Sequence, residues 1–254
     1  VGITAGAGTG FGYVCPLIIC MKWFPKHKGL VTGITVAGFG LGAVLMSSLV
    51  EVFFARGMDV LDVFLWIGVS YGALVIGAAL VLREPHGQTM MAAQPVLRPV
   101  SLLREPFFLA LVVGMFCGTF SGLLIIGNLK PLASLAGASP VQTTVAVSIF
   151  AIGNASGRIA WGWLADRLST RTIALPLAFL TCSLILLGLA ASSALGVIGA
   201  SFLVGFGFGA CFIVYAEAVA SRYGADGMAQ VYPLVFLAYG AAGIAGPWVG
   251  GWLY

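Results

Sequence analysis

Cys20-Met21-Lys22-Trp23-Phe24-Pro25-Lys26-His27-Lys28-Gly29-Leu30 ends one uncharged run and begins the next. Val1 to Met21 and Gly29 to Val50 carry no charge, and three lysines sit between them. The alternation continues along the chain. Val63–Leu82 and Phe107–Leu129 are uncharged, and Val141–Leu164 contains only Arg158. Thr172–Ala216 is too long for one crossing and divides near Ser192-Ser193, and Gly227–Tyr254 follows. A helix crosses a bilayer with roughly 20 apolar residues, so the reading is eight spans. The first crosses from outside to inside.

Basic residues fix the sidedness. Lys22, Lys26 and Lys28 fill the first gap, Arg83, Arg98 and Arg104 the third, Arg167 and Arg171 the fifth, and Arg222 the seventh. The even gaps hold only Arg56 and Lys130. Cytoplasmic loops retain Lys and Arg, so the odd gaps are expected to be cytoplasmic, with Trp23 as an interfacial anchor. Only 8% of the 254 residues are charged and 60% are hydrophobic, against about 25% charged in soluble domains. The expectation is an all-α integral membrane protein of a cell membrane, with the lipid bilayer as solvent. The net charge of +4 sits on loops and offers no nucleic-acid surface. The five cysteines lie within apolar runs, where they read as packing residues.

His27 and His86 lack partner spacing, so no metal is expected, and no cofactor loop is present. An intramembrane enzyme needs paired catalytic polar groups, and the spans contain none. The chain opens and stops within apolar runs, which reads as a piece of a longer protein. The stretch 83–105, with His86, Gly87, Pro95 and Pro99, reads as a cytoplasmic linker between a first bundle (1–82) and a second (106–254).

Arg158 lies inside a span, where an ionised side chain costs about 2.5 kcal/mol or more and marks a functional position by default. Ala151, Asn154, Arg158 and Trp161 are spaced to share one helix face. A guanidinium fork fits a carboxylate through two parallel charge-assisted hydrogen bonds. The same residue could instead snorkel to the cytoplasmic surface or tie helices together. Phe208, Phe212 and Tyr215 share a face, as do Tyr232, Phe236 and Tyr239, and Tyr13 follows Gly12 on the first span. Tyr13, Tyr239, Phe208 and Phe212 are candidates for an aromatic cage around a small anion. Helix packing is their alternative role.

Gly6-x-Gly8-x-Gly10-x-Gly12-Tyr13-x-x-Pro16 and Gly205-x-Gly207-x-Gly209 lie about 200 residues apart, as two similar halves of a transporter would place them. Gly6 to Ala43, Gly127-Asn128-Leu129-Lys130-Pro131, Gly153-Asn154-x-x-Gly157-Arg158 through Asp166-Arg167, and Ala238-Tyr239-Gly240 together resemble the major facilitator superfamily. Within it they resemble the oxalate/formate antiporter family, which borders the monocarboxylate transporters. The resemblance implies a helical bundle of twelve spans, of which these eight match helices four to eleven. It also implies a monomer that exchanges small organic anions by alternating access, with Arg158 as the anion ligand. Oxalate-specific members carry a lysine where Tyr239 stands here, so one carboxylate rather than two is the expected cargo.

Gly162-x-x-x-Asp166-Arg167-x-x-x-Arg171 resembles the superfamily's cytoplasmic loop signature. Pairing of Glu217 with Arg167 or Arg171 would form a latch between helices. Asp226 could pair with Arg222, leaving Glu217 free. Glu217 could also couple protons, as a proton-driven monocarboxylate symporter requires. A carrier-like sensor without flux is a further reading.

Overall fold

Each turn between helices is written in local chemistry. His27, after Pro25, precedes the second helix. Asp59 caps the third by accepting a 2.8 Å bond from the Val60 amide. Pro106 opens the fifth helix at a position where no amide is needed. Ser139 and Gln142 cap the sixth reciprocally, the Ser139 amide donating to Gln142 Oε1 at 2.8 Å and the Gln142 amide to Ser139 Oγ at 3.3 Å. Gly224 adopts φ 75° and ψ 175°, a backbone that side chains resist, and there the last long helix breaks in two.

The computed structural model describes residues 2–83, 99–168 and 173–252. Among these residues it holds helices and no strand. They are α1 (Gly2–Trp23), α2 (Lys28–Ala55), α3 (Val60–Val81), a single turn α4 (Pro99–Leu102), α5 (Pro106–Leu135), α6 (Pro140–Leu168), α7 (Ala174–Leu189), α8 (Ala194–Gly224) and α9 (Gly227–Trp252). Eight long helices match the eight expected runs, and the turn between α7 and α8 falls beside Ser192-Ser193. Most of the linker stretch, residues 84–98, lies outside the described residues. Helix ends overrun the charge boundaries. Lys130, Asp166, Arg167, Glu217 and Arg222 are all helical, because a helix continues past the hydrocarbon into the interface.

The core is α8. In its most apolar stretch 72% of residues are buried, against 6% for α3. Helices α5, α6 and α7 pack on α8, α2 packs on α6, and α3 touches α2 at the edge. Leu61, Phe64, Leu65, Trp66 and Val69 of α3 are all exposed. A continuous exposed apolar face of this kind marks a surface that meets lipid or a further protein element. Helices α3, α5, α8 and α9 are each long and apolar enough to cross a membrane.

Helices α6 and α8 meet backbone to backbone. Any Cβ added at Gly153 or Gly157 would collide with the carbonyls of Phe202 and Phe206, and one at Gly205 or Gly209 with those of Phe150 and Asn154. Small residues let membrane helices approach this closely. Gly157→Leu is therefore expected to destabilise the protein by about 1–3 kcal/mol through overpacking, read as a lower midpoint in reversible denaturation. An unchanged midpoint would show that the contact is looser than described.

Candidate functional site

Arg158 projects from the C-terminal half of α6 and is held on three sides. Its Nε donates to Asn154 Oδ1, one turn earlier, at 2.9 Å. One terminal nitrogen, NH1, donates to the backbone carbonyl of Val36 on α2. Its guanidinium carbon stands 4.8 Å from the centre of the Phe212 ring on α8, a cation–π distance. Among the described residues no carboxylate forms an ion pair with it. A partly buried cation without an internal counter-ion is left with unmet electrostatic demand.

Aromatic rings continue outward from Phe212. Phe208 and Tyr239 meet it edge-on, each at 5.2 Å between centroids. Phe236 stacks on Tyr13 and lies tilted against Tyr239, at 5.0 Å between centroids in both pairs. The Tyr13 and Tyr232 hydroxyls lie 3.5 Å apart, and the Tyr232 hydroxyl donates to the Phe212 carbonyl at 3.5 Å. Arg158, Asn154, Tyr13, Phe208, Phe212 and Tyr239 thus come together from α1, α6, α8 and α9. Beside Tyr13 and Val36 a cavity of about 720 Å³ opens between α1, α2 and α3, with Thr9, Thr35 and Tyr71 among its lining residues.

One participant, the carbonyl of Val36, was not singled out from the sequence. Phe236 and Tyr232 lie on the Tyr239 face of α9, three and seven residues back, where their spacing placed them. The Val36 carbonyl is backbone and has no sequence signature. Trp161 leaves the expected face. It packs with Ala165, Ala210 and Val214, its ring 5.8 Å from Phe179 and 6.2 Å from Phe206. Three residues past Arg158 turn a helix about 60° short of a full circle, enough to point Trp161 at α7 and α8.

The expected pairing of Glu217 with Arg167 is absent from the structure. Arg167 lies 3.8 Å over the ring of Trp163, one turn back on its own helix. Glu217 accepts a bond from Ser221 Oγ, and the nearby charges acting on it are Asp166 and Lys28. Arg171 lies outside the described residues, as does the side chain of Asp226. Arg222 pairs with Glu105 at 3.3 Å, and Tyr223 donates to the same carboxylate at 2.7 Å.

A different cross-helix contact occupies this end. Asp166 Oδ1 accepts from the Gly29 amide at 2.7 Å and Oδ2 from the Leu30 amide at 2.9 Å. His27, the local cap residue of α2, makes no side-chain cap bond. Asp166 on α6 therefore satisfies two orphan amides of α2 and sets a negative charge at the positive end of its dipole. Gly29 and Gly162 touch backbone to backbone there, which brings Asp166 within reach.

Comparison with known proteins identifies the family of the chain. The profile of the Major Facilitator Superfamily matches residues 1–247. The chain belongs to this superfamily of transporters. An uncharacterised MFS-type transporter, YhjX, of Escherichia coli (strain K12) is 29% identical over 252 residues, covering 96% of this chain and 62% of that protein. The oxalate:formate antiporter of Oxalobacter formigenes is 32% identical over 172 residues, 65% of this chain and 40% of the antiporter. Monocarboxylate transporter 11 of Mus musculus is 26% identical over 186 residues, 66% of this chain and 38% of the transporter. The chain thus spans less than two thirds of the length of each of these relatives. As a major facilitator chain it is a multi-pass membrane protein, and its long apolar helices are membrane spans.

Proposed function

We propose that the full-length protein exchanges small organic monocarboxylates across a cell membrane by alternating access. In this reading α1–α3 belong to one bundle and α5–α9 to the other, joined by the linker 83–105. The end carrying Lys26, Asp166 and Arg222 faces the cytoplasm, following the positive-inside rule. The observation that carries the proposal is Arg158, a part-buried guanidinium with no carboxylate partner among the described residues. It lies against Phe212 within the aromatic cluster. A carboxylate entering that cluster supplies the missing charge through the fork, and the rings of Phe208, Phe212, Phe236 and Tyr239 exclude water around it. Similarity to an oxalate:formate antiporter and to a monocarboxylate transporter supports the substrate class. The carrier acts as a monomer and needs no cofactor.

Exchange is preferred to proton symport on the placement of Glu217. It hydrogen-bonds Ser221 near Asp166 and Lys28 and is absent from the contacts of the Arg158 cluster.

The test is counterflow in proteoliposomes of the full-length protein, loaded in turn with formate, acetate, pyruvate and oxalate. Uptake of a labelled monocarboxylate driven by internal monocarboxylate is the expected result. No uptake of any of them would overturn the reading. One cation also predicts selectivity for one charge. Tyr239→Lys is expected to raise oxalate exchange relative to formate about tenfold or more, since a second close charge pair contributes on the order of 1–4 kcal/mol between water and a protein surface. An unchanged ratio would place residue 239 away from the cargo.

A further inference from the structure

The Arg158–Val36 contact joins helices that the proposed function assigns to opposite bundles, and the inference drawn from it rests on that reading. Val36 offers a backbone carbonyl with a second lone pair beyond its helical bond. The guanidinium edge that reaches it comes within range because α2 and α6 touch at Gly33. A Cβ at Gly33 would stand 2.5 Å from the Arg158 carbonyl oxygen and 3.3 Å from Ile159 Cα. Only glycine permits the crossing at this level. Asn154 holds Nε from the same helix, which aims the remaining donors away from α6 and toward α2.

We propose that Arg158 is also the lock of the empty carrier: its N–H bond to the Val36 carbonyl holds the two bundles together until an anion takes that N–H. The same donor cannot serve the carbonyl of α2 and a carboxylate at full strength. Without cargo the bundles are tied and the carrier does not reorient. With cargo the guanidinium turns to the carboxylate, the tie is lost, and the bundles separate. Net movement of cargo then requires return of an empty carrier that is locked, so one-for-one exchange is the favoured cycle. A residue that only bound substrate would leave the empty carrier's conformations untouched, which separates the two roles.

The test needs no flux. Spin labels on cysteines at Lys26, in the turn before α2, and Leu168, at the end of α6, report separation of the bundles by pulsed dipolar spectroscopy. They are placed in the full-length protein with its native cysteines replaced. Ligand-free wild type is expected to give one short distance. Arg158→Met keeps the side-chain length and removes every donor. It is expected to raise a longer-distance population about tenfold without ligand, the effect of losing one charge-assisted bond. Arg158→Gln, whose shorter side chain does not span to the Val36 carbonyl, is expected to do the same and carries the test if Arg158→Met fails to fold. Unchanged distance distributions in the variants overturn the lock. Formate, acetate or pyruvate should produce the longer distance in wild type. If none does while the variants still open, the lock stands and the carboxylate reading falls.

Discussion

Arg158→Gln is expected to lower monocarboxylate exchange by about a hundredfold or more, with Arg158→Lys nearly as damaging. Glutamine removes the charge and the fork. The loss of two charge-assisted bonds, about 1.5–3 kcal/mol each, corresponds to at least that factor at about 1.4 kcal/mol per tenfold. Lysine is the sharper control because it keeps the charge. It presents a compact ammonium that cannot donate in parallel to both carboxylate oxygens. Nor can it hold Asn154 as the Arg158 Nε does at 2.9 Å while facing Phe212. Initial rates of counterflow at matched protein density measure the effect. Full activity in the lysine variant would reduce the role of Arg158 to bulk positive charge, and full activity in both would remove it from the transport path.

The second large effect is expected at Asp166. Its two carboxylate oxygens each accept from an α2 amide, at 2.7 and 2.9 Å, in place of the local cap that His27 does not provide. Asp166→Ala leaves both amides without a protein acceptor and removes a charge from the helix terminus. Caps of this kind are worth about 0.5–2 kcal/mol, with a further 0.3–1 kcal/mol from the dipole. The closed arrangement at the Asp166 end should lose population by about tenfold or more. Asp166→Asn retains one acceptor oxygen and should fall between alanine and wild type. A cysteine at Thr32, fully buried on α2, reports the change. Its labelling by a hydrophilic maleimide applied from the Asp166 side should quicken in the order wild type, asparagine, alanine. Equal labelling in all three would mean that the Asp166 contact does not hold this end closed.

The sequence announces some of this and is silent on the rest, for physical reasons. Charges are so scarce that each one carries information. Lys22 to Lys28, Asp59, Glu105 and Arg222 mark helix ends, and Arg158 stands out as the one basic residue in an apolar run. Helical spacing likewise places Asn154 beside Arg158 and Phe208 beside Phe212. Spacing places a side chain only to within some tens of degrees around the helix, and Trp161, about 60° short of a full turn from Arg158, lands in the α6–α7–α8 core. Opposite side-chain charges suggest each other, as Glu217 suggests Arg167, yet Glu217 bonds Ser221 and Arg167 lies over Trp163. The partners of Asp166 are instead the amides of Gly29 and Leu30, and the cross-helix partner of Arg158 is the carbonyl of Val36. Backbone groups are the same at every residue, so no composition or spacing reveals them. The closest hint was Gly29, Gly33 and Gly162, whose missing side chains let the backbones meet.

The most direct test of Arg158 as the anion clamp is equilibrium binding, which is independent of turnover. Labelled formate, acetate and pyruvate are titrated onto the purified full-length protein at fixed pH and salt, with wild type beside Arg158→Lys and Arg158→Gln. Saturable binding to wild type, weakened about a hundredfold or more in both variants as two charge-assisted bonds are lost, is the predicted result. Equal affinity across the three proteins, or no binding of any carboxylate to wild type, would contradict it.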